Sequence, residues 1–415
     1  MKSLTTFGSF AIAITMCSHS AAADRGKILD RHGEPLATGN GSYPAANAAA
    51  HLIGYCPAGE GQHGHGGIEE AFDAVLARGE SIQLTIDRQL QTSTYKILQE
   101  SGKRGAAVVV DPENGEILAL VSYPSYDPNK LTKEDLKEQL AALSEAPNSP
   151  LLARAPEGTY PPASTFKAFS SLALMRASKA GAQTCSGTTE IDGESYRCWK
   201  TSGHGELPGI GAALRNSCNC YYYQAASDLQ VSALVDVART FGYGSPSGIE
   251  IKESTGALPS GNIQNAAIGH GDTEVTPLQI ANAYAAIGNG GTLYKAHLIA
   301  NKEPEKIRTI ADEGFEAAHL EKVKAGLIEV VEHPEGTGRR AKLEGGMPTA
   351  GKTGTAAISD NHYAALFAGY APVDEPRFAI CVLQEGEASI SGGQTSAPLA
   401  ARILAKADAL RKTHP

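Results

Sequence analysis

Ser164-Thr165-Phe166-Lys167 sets a hydroxyl and an amine three residues apart, which on a helix places them one turn apart on the same face. A serine so placed can be deprotonated by its own neighbour and become a nucleophile. The spacing alone is weak, because Ser93-Thr94-Tyr95-Lys96 repeats it. Context separates the two. Ser93 falls inside a helix expected over 88–100 with Asp87 as its cap, whereas Ser164 follows Tyr160-Pro161-Pro162-Ala163 and opens a helix running towards Gly181. Only Ser164 then has a helix start whose free N–H groups can stabilise negative charge on an attacked carbonyl.

A second polar pattern, S-x-N, occurs as Ser217-Cys218-Asn219, Ser260-Gly261-Asn262 and Ser359-Asp360-Asn361. Ser359 lies between two β-prone runs, so Asp360-Asn361 reads as a hairpin turn, and Ser260 lies in a Pro and Gly loop. Ser217 precedes a Tyr-rich helical run over 220–229, where its hydroxyl and the Asn219 amide can be held rigidly beside a nucleophile. Lys352-Thr353-Gly354-Thr355 occurs once, at the start of a β-prone run. A strand edge there can pair with an extended peptide while Lys352 and the threonine hydroxyls attract a carboxylate. Gly354 lets backbone approach backbone.

S-x-x-K, S-x-N and K-T-G in this order resemble the motif set of penicillin-binding proteins and β-lactamases. The likeness covers nearly the whole chain, which is similar to a class B penicillin-binding protein, a monofunctional peptidoglycan D,D-transpeptidase. Arg25-Gly26-Lys27-Ile28-Leu29-Asp30-Arg31-His32-Gly33, Leu84-Thr85-Ile86-Asp87, Tyr160-Pro161-Pro162, Gly203-His204-Gly205 and Val275-Thr276-Pro277-Leu278-Gln279 resemble other segments of that family. Three departures stand out. Only a handful of residues separate Leu36-Ala37 from Tyr43-Pro44, where the family carries a long insertion that builds an N-terminal pedestal. Ala163 stands where Gly is usual, and His270 where Gln is usual.

The resemblance implies an α/β (α+β) transpeptidase fold of the penicillin-binding/β-lactamase type, an antiparallel sheet flanked by helices, with a small irregular N-terminal domain. It implies Ser164 as nucleophile, Lys167 as its proton acceptor in a pocket shared with Lys352, Ser217 as proton relay and Asn219 as holder of the donor peptide amide. Thr353, Gly354 and Thr355 would bind substrate, with the Ser164 and Thr355 amides as oxyanion hole. No cofactor or metal is expected. The implied partners are peptidoglycan stem peptides, β-lactams as covalent inhibitors and a membrane glycan polymerase. D,D-carboxypeptidase, β-lactamase and a non-catalytic β-lactam sensor or scaffold are the rival readings. Between Asn219 and Lys352 no Glu stands four residues before an Asn, so the water-activating E-x-x-x-N arrangement of class A β-lactamases is missing.

The elements that must position these residues follow from pattern. Residues 105–110 and 116–122 are β-prone runs joined by Asp111-Pro112-Glu113-Asn114-Gly115, a hairpin signal. Residues 131–143 read as a charged helix. Thr276-Pro277 caps an Ala-rich helix ending at Gly288, and three β-prone runs at 350–358, 363–370 and 377–384 precede a final helix over 397–411. Strands at both ends with helices between suggest a sheet closed by its own termini.

The expected organisation is a signal peptide at 1–23, a reduced N-terminal pedestal region at 24–80 and the transpeptidase domain at 81–415. Residues 7–17 are apolar and followed by Ala21-Ala22-Ala23, an export signal too short to span a bilayer. The protein is therefore expected in the periplasm or at the outer face of the cytoplasmic membrane. A formal charge of -9 with scattered Lys and Arg argues against nucleic acid as partner. In an oxidising compartment Cys185 and Cys198, bracketing a turn-rich stretch, are expected to form a disulfide. His51, Cys56, His63 and His65 crowd one Gly-rich segment but read as solvated loop residues rather than metal ligands. Trp199, the single tryptophan, reads as a packing anchor, and Tyr221-Tyr222-Tyr223 as alternating core and surface.

Overall fold

The computed structural model describes residues 24–57, 63–343 and 345–413. The expected signal peptide at 1–23 lies outside the described residues. The largest sheet has five strands, β1 (Gly105–Val110), β2 (Ile117–Tyr123), β3 (Ala350–Ser359), β4 (His362–Ala371) and β5 (Phe378–Gly386), in the order β3-β4-β5-β1-β2. Every pairing is antiparallel. Two strands come from the first third of the chain and three from the end, joined where Ala379 faces Val110. The closure by both termini expected from the strand pattern is thus present.

Both faces of this sheet are covered, which is why β1 reads Ala-Ala-Val-Val-Val without polar alternation and is buried throughout. Helix α1 (Arg88–Glu100) and the last helix pack together over one face. Asp87 caps α1, its carboxylate accepting from the Gln89 and Leu90 amides. Helix α2 (Lys167–Arg176) follows a 3₁₀ turn at Ala163–Phe166 and is buried from Lys167 to Met175. It ends at Arg176, short of the expected Gly181, where Ala177 and the left-handed Ser178 (φ 57°) turn the chain away. Helix α3 (Asn219–Ala226) starts within S-x-N. Helix α4 (Pro277–Gly288), held by a complete capping box between Thr276 and Gln279, lies on the other face of the sheet against β1, β4 and β5. Helix α5 (Ala317–Glu332) packs on β3, and α6 (Ala397–Thr413) is the last helix.

The 24–80 stretch is less separate than its irregular composition suggests. Ile28–Leu29 pairs antiparallel with Pro35–Ala37 and parallel with Ile82–Gln83, so the small N-terminal sheet takes a strand from beyond residue 80. Ile28, Leu36, Leu52 and Ile68 join the same hydrophobic core as the large sheet. Among the described residues no helix is long and apolar enough to cross a membrane.

Candidate active site

The segment leading to Ser164 is tied down residue by residue. Tyr160 exchanges backbone hydrogen bonds with Val275 at 3.0 and 2.9 Å, and its hydroxyl donates to Glu385 on β5 at 2.8 Å. Glu385 also pairs with Arg154 at 2.8 Å and Arg104 at 3.0 Å. Burial opposes its charge, yet Arg154 and the Tyr160 hydroxyl outweigh burial and hold its carboxyl below the ordinary value. Ala163 donates its amide to the Gly269 carbonyl at 2.8 Å, and the Tyr284 hydroxyl on α4 donates to the Thr165 carbonyl at 2.8 Å. Ala163 sits at φ 50°, in the left-handed region, which gives a conformational reason for the glycine expected there by resemblance. Opposite it, Gly269 is at φ 73°, and a Cβ there would come within 2.2 Å of the Ala163 carbonyl.

The polar groups named from the sequence meet around Ser217. Lys167, fully buried on α2, donates to the Ser217 carbonyl at 2.9 Å and to Asn219 Oδ1 at 2.6 Å. Lys352, equally buried on β3, donates to Ser217 Oγ at 2.8 Å. Burial lowers the Lys167 ammonium from its ordinary value to about 8. Burial, and then the neighbouring Lys167 charge, hold Lys352 well below its ordinary value. Ser217 is held at φ 50°, a strained conformation that the two lysines and the following helix sustain. Among the described residues no hydrogen bond reaches Ser164 Oγ, and Ser164 lines the open cleft.

The cleft encloses about 710 Å³ and is lined by Ser164, Ser217, Asn219, Thr353, Gly354 and Thr355. Among the described residues β3 is an edge strand that pairs with β4 alone, the kind of edge an extended chain can join. Gly392 crosses Gly354 so closely that a Cβ on it would lie 2.5 Å from the Gly354 carbonyl, and its amide donates to Thr355 Oγ1 at 3.1 Å. Thr337 meets Thr353 Oγ1 at 3.1 Å, and His270, Arg339 and Arg340 complete the rim. Sequence spacing gave no sign of Thr337 or Gly392, which line the cleft, or of Glu385, which anchors Tyr160, because each matters through a contact made only in the fold.

The other two S-x-N strings lie elsewhere. Asn262 caps a short helix through its Oδ1 and the Asn265 amide, and Ser359-Asp360-Asn361 forms the β3–β4 hairpin with Asn361 at φ 56°. Ser93 is inside α1. Three expectations need correction. Trp199 is 57% exposed at the mouth of the cleft, its Nε1 donating to the Asn216 and Ser217 carbonyls, so it is a rim residue and not a packing anchor. Tyr221, Tyr222 and Tyr223 are all buried, because α3 is enclosed by the 183–197 strands on one side and by α2 and the 263–267 helix on others.

The third correction concerns the cysteines. Cys185 and Cys198 are free thiols; the sulfur that Cys198 approaches is Cys218, at 3.9 Å, and His204 Nδ1 lies 3.6 Å from it. Cys185, Cys198, His204 and Cys218 place their ligand atoms within 4.8 Å of one another, a donor set of the kind that suits a soft divalent metal ion. By contrast His51 bonds to the Pro150 carbonyl, His63 to Asp73, and His65 stacks on Tyr55, so these three find separate partners.

Comparison with known proteins bears on the whole of this arrangement. The description "Penicillin binding protein transpeptidase domain" matches residues 105–405. The chain is 32% identical over 372 residues to the peptidoglycan D,D-transpeptidase MrdA of Haemophilus influenzae, covering 79% of this chain and 56% of that protein. It is 32% identical over 364 residues to the peptidoglycan D,D-transpeptidase PbpA of Mycobacterium tuberculosis, covering 81% of this chain and 74% of that one. The chain thus spans little more than half the length of its MrdA relative. Among solved structures, Pseudomonas aeruginosa PBP2 in complex with WCK 5153 superposes with a TM-score of 0.83 at 28% identity, over 93% of this chain and 96% of that one. The ceftriaxone acyl-enzyme complex of penicillin-binding protein A from M. tuberculosis gives 0.82 at 25% identity, over 92% and 98%. With its S-x-x-K turn, S-x-N loop and K-T-G edge strand gathered in one cleft, the chain belongs to the penicillin-binding transpeptidase family, in its class B branch.

Proposed function

We propose that this protein is a serine D,D-transpeptidase that crosslinks peptidoglycan stem peptides through an acyl-enzyme on Ser164, and that β-lactams inhibit it by acylating the same oxygen. The observation that carries this reading is the convergence of Ser164, Lys167, Ser217, Asn219 and Lys352 on one cleft beside an open strand edge. A stem peptide ending in D-Ala-D-Ala lies along β3, its carboxylate near Lys352 and Thr353, and its scissile carbonyl over the amides of Ser164 and Thr355. The fraction of Lys167 that is neutral takes the Ser164 proton as Oγ attacks the carbonyl carbon. The tetrahedral oxyanion collapses, the C–N bond breaks, and Ser217 gives its proton to the departing D-alanine amine as it takes one from Lys352, which donates to its Oγ. An amine of a second stem peptide then attacks the ester, its proton returning through Ser217 to Lys352, and as the C–O bond breaks Ser164 takes back the proton held on Lys167. No cofactor enters these steps.

We place the protein after export, in the periplasm or at the outer face of the cytoplasmic membrane, with a membrane glycan polymerase as its working partner. Incubation with penicillin followed by intact mass measurement is expected to give one stable adduct, lost in Ser164→Ala. Incubation with a pentapeptide substrate is expected to give crosslinked dimer. Release of D-alanine alone would mark a carboxypeptidase, rapid turnover of excess penicillin a β-lactamase, and an adduct without any peptide product a sensor or scaffold.

A further inference from the structure

His270 stands where the family usually has Gln, and the acyl-transfer steps above give it no part. It lies between two glycines in the left-handed region, Gly269 at φ 73° and Gly271 at φ 79°. The segment that carries it is pinned to its surroundings. The Ala267 carbonyl accepts from Ser170 Oγ on α2 at 2.8 Å, the His270 amide donates to the Asn265 carbonyl at 2.9 Å, and the helix Ile263–Ala267 packs on α3. The Gly269 carbonyl accepts the amide of Ala163, the residue before Ser164, at 2.8 Å. The His270 side chain lines the cleft with Ser164 and Thr355. Its Nδ1 donates to the Ile268 carbonyl at 3.1 Å, and the Thr355 backbone carbonyl meets the same ring from β3. In an antiparallel strand the N–H and C=O of one residue point to the same side. A Thr355 carbonyl that meets His270 in the cleft therefore brings the Thr355 amide to the cleft as well.

We propose that His270 is a positioning residue for the oxyanion hole, bracing β3 at Thr355 against the turn that carries Ser164 so that the amides of both residues converge on one oxygen. The two amides belong to different elements, and consecutive residues of one loop touch both: Gly269 holds the residue before Ser164, and His270 meets Thr355. An oxyanion hole works only with its donors about 2.7–3.1 Å from the place of the developing charge. A brace of this kind acts in the transition state, where that charge forms, and leaves ground-state binding nearly unchanged. Thr355 is steadied elsewhere by the ladder to β4 on the opposite edge of β3 and by the Gly392 amide on its Oγ1 at 3.1 Å, which leaves the cleft side to His270. A carbonyl oxygen has two lone pairs, so a peptide added to β3 can share the Thr355 carbonyl with the ring. The imidazole offers one N–H when neutral and two when protonated, whereas a glutamine amide carries two N–H donors on one nitrogen and can serve the Ile268 and Thr355 carbonyls together. Glutamine therefore replaces the brace, while asparagine, one carbon shorter, falls short of Thr355.

The effect on acylation rests on the function proposed above, whereas the geometry of the hole does not, so each has its own measurement. Acylation by fluorescent penicillin over a range of drug concentrations separates the acylation rate constant from the binding constant. His270→Ala and His270→Asn are expected to lower the rate constant by about tenfold, less than the loss of a whole oxyanion donor, with the binding constant unchanged within about twofold. His270→Gln is expected to stay within about threefold of the wild type. In amide spectra of the isotope-labelled protein, the Ser164 and Thr355 resonances are expected to shift in His270→Asn and to stay in place in His270→Gln. The asparagine variant keeps a polar side chain in the cleft and serves where the alanine variant fails to fold. Rate constants for His270→Asn within about threefold of the wild type would overturn the brace. So would weaker binding at an unchanged rate constant, which would make His270 a ligand contact, or a glutamine variant as slow as the asparagine one, which would give the imidazole its own part in the chemistry. A wild-type protein that penicillin never acylates would count against the proposed function, and the amide resonances would then decide on the brace: unshifted Ser164 and Thr355 signals in His270→Asn refute it.

Discussion

Replacing Lys167 with methionine separates what the buried amine does for chemistry from what it costs the fold. In the folded protein its ammonium titrates near 8 instead of the ordinary 10.5. At about 1.4 kcal/mol per pH unit, keeping it charged at neutral pH costs about 3 kcal/mol. The substitution removes that penalty and also removes the bonds to the Ser217 carbonyl and Asn219 Oδ1. Those acceptors line or adjoin the cleft, where water can replace the amine, so their loss costs about 1 kcal/mol each. Lys167→Met is therefore expected to be about 1 kcal/mol more stable than the wild type at neutral pH. The sign reverses with alkali. Between about 8 and 10.5 the unfolded chain binds more protons than the folded one, so wild-type stability rises with pH across that window while the variant lacks this term. Above 10.5 the variant is expected to be the less stable by about 2 kcal/mol. Acylation by fluorescent penicillin is expected to fall by roughly a thousandfold, the range of a lost general base. Denaturant titrations of both proteins from neutral pH to 10.5, with acylation rates alongside, make the test. A stability difference that does not change with pH, or an acylation rate within tenfold of the wild type, would refute the reasoning.

Ala163→Gly is expected to stabilise the protein by about 0.5–1 kcal/mol, the left-handed penalty less the added freedom of the unfolded glycine, measured as a higher denaturation midpoint. Glu385→Gln leaves Arg154 and Arg104 beside a neutral amide and is expected to cost about 3–5 kcal/mol at neutral pH. Since the Glu385 carboxyl titrates below its ordinary value in the folded state, its stabilisation is present above the unfolded value and lost as pH falls through the folded one, so variant and wild type converge in acid. Gly392→Ala puts a Cβ 2.2 Å from the Leu366 carbonyl and 2.5 Å from that of Gly354; a loss of 2 kcal/mol or more and slower acylation are expected, and unchanged values would contradict the close approach.

How much of this was legible beforehand depends on how local each signal is. Ser164 and Lys167 sit one turn apart, and Lys352 to Thr355 are consecutive, so pattern alone exposed them. The choice among three S-x-N strings was legible because Asn361 sits in a hairpin and Asn262 caps a short helix, both ordinary uses of Asn. Strands β1 to β5 were legible because runs such as Ala-Ala-Val-Val-Val have no helical period. Glu385 and Gly392 were not, since their importance comes from what reaches them across the fold. The cysteines misled for a related reason: Cys185 and Cys198 are close in sequence, but the third sulfur arrives from S-x-N and the imidazole from Gly203-His204-Gly205. Tyr221 to Tyr223 defeated the amphipathic rule because α3 has no solvent side at that point.

The sheet closes between Val110 and Ala379, about 270 residues apart in the chain. A polypeptide emerging from a ribosome or a translocation channel therefore exposes β1 and β2 long before β5 exists to cover the free edge of β1. That edge is a run of unpaired backbone and valine, a template for wrong pairing in any crowded compartment. The loop entropy of so distant a contact is met only after most other elements are in place, which makes closure of the sheet a late and slow event. A chain that cannot complete its central sheet until its last strands emerge stays incompletely folded until then. The same dependence on the last strand makes the sheet sensitive to any truncation that removes β5.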